Sequence, residues 1–154
     1  MLRPYSSTRG GLKNGRNRVD VTVPEKLVED AVRFHGHLGP FMVLGLKAGL
    51  LANKVLGKSY FKSKAVVETE PRTPYTCFID GVQFTTGCTM GKGNIKLEEG
   101  EGILIVTFSK GDRSLKLTLR VDVLERIKGV PMEECERVAR EILKTPVGEL
   151  FKIE

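Results

Sequence analysis

Two groups of residues in this chain have types and spacing suited to chemistry. His35 and His37 are its only histidines and stand two apart within Phe34-His35-Gly36-His37-Leu38-Gly39-Pro40. Imidazole is the commonest metal ligand, and its ordinary pKa of about 6.5 lies nearest neutrality. A lone histidine there would read as a cap on a helix end. Both histidines of a chain in one glycine-flanked turn point instead to a site, and Gly36 and Gly39 allow a ligand close to the backbone.

The second group is Cys88-Thr89-Met90-Gly91-Lys92-Gly93-Asn94, with Gly81 and Gly87 just before it. A thiol in such a loop is expected to be reachable, and successive backbone amides there can form an anion nest that also favours thiolate. Cys77 falls at the start of a predicted helix, where the helix dipole favours thiolate too. His35, His37, Cys77 and Cys88 together make a sufficient ligand set for a tetrahedral divalent metal, zinc by preference. Neither pair has zinc-finger spacing, so the set rests on residue type, and each cysteine alone also reads as small apolar filler. Cys135 lies on the inner stripe of a helix and is read as filler.

Gly91, Lys92 and Gly93 are the candidate anion loop, with a solvated surface lysine as the equal alternative. The loop is not a Walker A motif: three residues separate Gly87 from Gly91 where four are needed, and Gly93 stands where a Ser or Thr would bind Mg²⁺. Cys88, Asp80 and Glu68 are the candidates for catalysis. Asp80 and Glu68 would orient a histidine or act as acid and base, with plain surface exposure as the default for both.

These residues need elements to hold them. Pro24 opens a helix whose apolar face is Leu27, Val28, Ala31 and Val32, and Gly36 can end it. Pro40 opens a second, with Phe41, Leu44, Ala48, Leu51 and Val55 at helical spacing; Gly45 and Gly49 invite close packing. Lys64 to Glu70 reads as a strand. Thr76 is placed to cap a helix from Cys77 to about Thr86. Gly87 to Asn94 reads as irregular. Ile103 to Phe108 and the alternating Leu115, Leu117, Leu119 and Val121 form an antiparallel hairpin around Gly111-Asp112. Val123 to Lys128 makes a helical turn. Pro131 opens a last amphipathic helix with Met132, Cys135, Val138, Ala139, Ile142 and Leu143 inward, stopped at Thr145-Pro146. The fold class is therefore α+β: one domain over residues 21–154, N-terminal helices joined by the His-Gly-His turn, an antiparallel or mixed sheet, and a C-terminal amphipathic helix.

Composition narrows the function. The 154 residues are 40% hydrophobic and 29% charged, with no tryptophan and 6% aromatics, so platforms for stacking bases are scarce. Much of the net charge of +6 sits in Arg3, Arg9, Lys13, Arg16 and Arg18, a basic arm over residues 1–20 read as flexible and solvated. No nucleic-acid motif follows it, so a nucleic-acid partner is not expected. No apolar run reaches the roughly 20 residues of a membrane span, and no signal-peptide core precedes the domain. Three cysteines cannot all pair within one chain. The expected setting is a reducing cytoplasm.

The motifs together resemble the FmdE family, named for one of the subunits of formylmethanofuran dehydrogenase. The resemblance is carried by Phe34 to Pro40, Val67-Glu68-Thr69, Cys77 to Gln83 and Thr86 to Asn94, and most specifically by the glycine-lysine loop after a D-x-x-Q helix. It implies an α+β domain that often forms a homodimer and carries a metal, zinc by preference, in a cleft lined by the His-Gly-His turn and cysteines. It also implies a link to molybdenum or tungsten enzyme subunits, in an accessory role rather than as a catalyst. Members usually have cysteine where Gly39 stands here, and many carry a four-cysteine zinc ribbon that these residues do not contain. The leading expectation is a metal-binding accessory protein. The rival expectations are a metal-dependent enzyme on a small anionic substrate and a metal-free interaction module.

Overall fold

The computed structural model describes residues 20–154; the basic arm, apart from Asp20, lies outside them. The elements are α1 (Glu25–His35), α2 (Pro40–Leu56), β1 (Ser63–Thr69), α3 (Cys77–Thr86), a 3-10 turn (Met90–Lys92), β2 (Ile95–Glu99), β3 (Leu104–Lys110), β4 (Arg113–Leu119), α4 (Val121–Ile127), α5 (Met132–Lys144), α6 (Val147–Leu150) and β5 (Phe151–Ile153). The strands form one mixed sheet in the order β2-β1-β3-β4-β5. β1 and β2 are parallel, and α3 lies in the crossover that such a pair requires. The other three pairings are antiparallel, including the expected β3–β4 hairpin.

Alternation decides which face of the sheet is covered. One register row runs Leu97, Val67, Val106, Leu117, Ile153. Its three central residues are fully buried under the helices, and each stabilises the fold by about 2 kcal/mol. The next row, Glu68, Ile105 and Thr118, points to the opposite face and is only half-buried. The sheet is thus covered on one side, as the alternation of β4 predicts.

α2 is buried almost all round and lies between α3 and α5, above β3 and β4. Its contact with α3 is set by glycines. A Cβ on Gly45 would lie 2.1 Å from the Phe78 carbonyl oxygen, and one on Gly81 would lie 2.2 Å from that of Met42. Further along, a Cβ on Gly49 would meet Thr85 Oγ1 at 1.8 Å. The contacts advance in the same direction on both helices, so the two N-termini meet at one end. On its other side α2 sends Lys47, 1% exposed, to the end of α5. Its Nζ donates to the carbonyls of Ile142 (3.1 Å), Leu143 (3.2 Å) and Thr145 at a C-terminus where Ile142 also accepts from the Thr145 N–H and the last carbonyls lack helical donors.

Several local expectations change. Pro24 is the N-cap of α1, whereas Pro40 does occupy the first turn of α2. Thr76 makes no side-chain cap and is itself in the right-handed helical region. The chain instead winds into α3 through backbone bonds from Thr76 to Arg72 and from Cys77 to Pro74. Met132 is 71% exposed rather than inward. β2 and β5 were not expected. Both are short edge strands, and four of the five β2 residues are exposed, so their apolar patterns are faint.

Candidate functional site

The site forms where the N-termini of α2 and α3 meet the C-terminus of α1. His35 is the last residue of α1. Gly36, at φ +112°, turns the chain out of the helix and donates to the Val32 carbonyl at 2.7 Å. Leu38, Gly39 and Pro40 are buried and anchor the turn. The His37 ring lies over Gly39: a Cβ there would stand 2.7 Å from His37 Cε1 and 3.3 Å from Nδ1. Glycine at this position therefore gives His37 its place, and a cysteine would force the ring aside.

The two imidazoles lie with centroids 5.0 Å apart. His35 Nδ1 is 2.6 Å from Asp80 Oδ2, on α3. A carboxylate only accepts, so Nδ1 carries the proton and a neutral ring has its lone pair on Nε2. His35 is 7% exposed at its side chain. His35 Nε2 and His37 Nδ1 are both buried with no hydrogen-bond partner. Leaving such atoms unpaired costs about 1–3 kcal/mol each, a penalty that a bound cation would remove.

A cavity of about 370 Å³ is lined by His35, His37, Cys77 and Cys135, with Phe41, Met42, Ile127 and Val130 as its apolar wall. A second, of about 440 Å³, shares His35, Thr73 and Cys77 with the first and adds Asp80, Gln83, Met90, Lys96 and Leu97. Burial, then the Asp80 charge and the neighbouring Cys135, push the Cys77 thiol up from 9.0. Burial, then Glu133, does the same for Cys135. A cation in the cavity would oppose these effects and favour thiolate.

The structure separates the other sequence candidates from this place. Cys88 is fully buried in the hydrophobic core and lines neither cavity. It follows the far end of α3 from Cys77, and a ten-residue helix is about 15 Å long. Among the described residues, no three His, Cys, Asp or Glu side chains stand together in an arrangement able to hold a metal ion. What is gathered is a histidine pair with Cys77 beside it. Glu68 faces the open side of the sheet and lines neither cavity.

The glycine loop is occupied with itself. Thr89 N–H donates to Asn94 Oδ1, Met90 N–H to Gln83 Oε1, and the amides of Lys92 and Gly93 to Thr89. Cys88 N–H donates to Thr86 Oγ1. Lys92 Nζ turns back to the Gly87 carbonyl and to Thr89 Oγ1 at 3.1 Å, beside the rings of Tyr60 and Phe61. The loop thus closes the end of α3 instead of presenting an anion nest. Lys96 is the basic residue in the wall of the larger cavity.

Two residues escaped the sequence reading. Cys135 looked like stripe filler, but it sits in the first turns of α5, where the inner stripe leaves the core and reaches the cavity. Gln83 stands three residues after Asp80 on one helix face, and that D-x-x-Q spacing was its signal.

The class is an α+β domain: a mixed sheet covered on one face by helices, with two unpartnered buried imidazole nitrogens where two helix N-termini converge. The family model described as "FmdE, Molybdenum formylmethanofuran dehydrogenase operon" matches residues 34–152. The chain belongs to the FmdE family. It is also 28% identical over 134 residues to a protein of Archaeoglobus fulgidus described as a probable S-adenosyl-L-methionine-binding protein. That match takes in 79% of this chain and 35% of the relative, so the chain spans about a third of the relative's length. No helix of the described residues is long and apolar enough to cross a membrane.

Proposed function

We propose that this chain is a divalent-metal-binding accessory protein, zinc by preference, linked to the function of a molybdenum or tungsten formylmethanofuran dehydrogenase. The reading is carried by one observation: His35 Nε2 and His37 Nδ1 are buried and unpartnered, on rings whose centroids lie 5.0 Å apart. Asp80 on His35 Nδ1 supports it, because an imidazole that ligates through one nitrogen commonly donates from the other to a carboxylate. His35 and His37 would offer the ion two nitrogens, Cys77 from the wall of the same cavity would have to be drawn in to add a thiolate, and the ion would supply Lewis acidity. Cys88 stays with the core in this reading. Assembly as a homodimer and contact with subunits of such an enzyme belong to the same proposal.

Zinc titration with elemental analysis tests it. About one zinc per chain is expected, with binding lost in His37→Ala and weakened in Cys77→Ala. Failure to retain any transition metal after reconstitution would end the reading.

The larger cavity favours a second reading, a metal-dependent enzyme on a small anionic substrate. Its anion would meet Lys96, since Lys92 is engaged. A visible spectrum of the cobalt-loaded protein that shifts on adding formate supports this reading; an insensitive spectrum opposes it.

A further inference from the structure

We infer that Gln83 is the positioning residue of the histidine pair: it holds Asp80 so that Asp80 fixes the tautomer and direction of His35. The inference rests on the metal-site reading for its purpose but on its own geometry for its content.

Three side chains and one backbone amide make a directed chain. Met90 N–H donates to Gln83 Oε1 at 2.9 Å. Gln83 Nε2 lies 3.5 Å from Asp80 Oδ1, a long contact. Asp80 Oδ2 accepts from His35 Nδ1 at 2.6 Å. The direction of this chain is fixed at both ends. A backbone amide can only donate, so the oxygen of the Gln83 amide must face Met90. Its NH₂ then faces a carboxylate, which can only accept. Flipping the amide would leave Met90 N–H without an acceptor and set two oxygens against each other.

Asp80 needs such a hold. Its side chain is 37% exposed, so rotamers that turn the carboxylate into water compete with the one that meets His35. Gln83 occupies the oxygen that His35 does not use, on the same face of α3. The glycine loop thereby acquires a role the anion-nest reading missed. Its Met90 amide anchors Gln83, and the loop is tied in turn to the start of β1 through Asn94, whose Nδ2 donates to the Ser63 carbonyl at 3.2 Å. The loop thus reaches the imidazole through Gln83 and Asp80, the link between them being the longest of the three.

Gln83→Glu separates positioning from packing. A glutamate keeps an oxygen for Met90 N–H but turns its other oxygen towards Asp80, so the loop stays anchored while the Asp80 hold becomes repulsive. Gln83→Met, of similar size, removes both bonds. The first readout is the ¹⁵N shift pattern of the His35 ring in metal-free protein at neutral pH, with the Met90 amide signal as the check on loop anchoring. The second is zinc affinity. In the parent, His35 is expected as the Nδ1–H tautomer. In Gln83→Glu the Met90 amide signal is expected to persist, the His35 tautomers to mix, and zinc affinity to fall about tenfold, the low end for loss of a partner behind a ligand. A Gln83→Glu protein with the parent's His35 pattern overturns the inference, whether or not zinc binds. If the parent binds no zinc but its His35 pattern still changes in Gln83→Glu, the metal reading fails and the positioning role stands.

Discussion

Buried polar groups lie at the middle of α2 and just before its start, and they are opposites. At its middle, the Lys47 ammonium is buried and meets three carbonyls of one helix end. Before its start, the paired imidazoles keep two buried nitrogens with nothing to bond. A satisfied buried charge joins elements: Lys47 ties α2 to α5 and completes the C-terminus of α5. An unsatisfied pair costs stability in the same fold, and under the proposed function a bound ion relieves that cost. Buried polarity alone therefore does not mark a site; the missing partner does.

The contrast collapses most completely in Gly81→Ala. Its methyl would stand 2.2 Å from the Met42 carbonyl oxygen, so α2 and α3 must part. A loss of about 3 kcal/mol in urea unfolding is expected, together with loss of zinc binding as Cys77 and Asp80 move from the histidines. Lys47→Met should cost a comparable amount, about 3 kcal/mol, because it leaves buried carbonyls unpaired. Zinc affinity should stay within about twofold, since Lys47 lies in the middle of α2, away from the site. Loss of zinc binding in this variant would merge the two centres and spoil the comparison.

His37→Leu should do the reverse. Metal-free stability is expected to hold or rise by about 1 kcal/mol as an unpaired polar atom is replaced by an apolar one, while the stabilisation added by zinc disappears. A drop of several kcal/mol in metal-free protein would show His37 to be structural. Cys88→Ala sharpens the matter with a smaller effect. It should cost about 1 kcal/mol from the core and leave zinc affinity intact, where Cys77→Ala reduces it.

The smallest expected effect is in pH. Burial pushes the Lys47 ammonium below its ordinary 10.5, with Asp20 acting in the opposite direction. The unfolded chain then binds that proton more tightly than the folded one. Between the folded value and 10.5 the unfolded state carries more protons, so this group makes stability rise with pH across that window. Urea unfolding at a series of alkaline pH values should show the rise in the parent and not in Lys47→Met.

Much of this was legible in the residues. Pro40, Gly36 and the apolar spacing of α2 placed the His-Gly-His turn between two helices, because caps and periodicity are local. Gly45 and Gly49 announced a close helix contact, though not its partner. The edge strands β2 and β5 were hidden, since three to five residues beside a sheet carry little pattern of their own. Cys88 and Lys92 misled for one reason: a glycine-rich loop looks open in sequence. Here its amides donate to Thr89, Asn94 and the end of α3, its lysine donates to the Gly87 carbonyl and the Thr89 hydroxyl, and its thiol is buried in the core.

What the sequence determined by itself is the set of available groups and the local turns that present them: two imidazoles in one tight bend, a thiol at a helix start, a carboxylate one turn further on. What only the tertiary structure decided is which of them meet. Residues 35 and 80 are joined because glycines let α2 and α3 touch along their length, and Cys88 is excluded because it follows the opposite end of the same helix. Local spacing specifies direction over a few residues, whereas proximity across 45 residues is a property of packing, which no short pattern encodes.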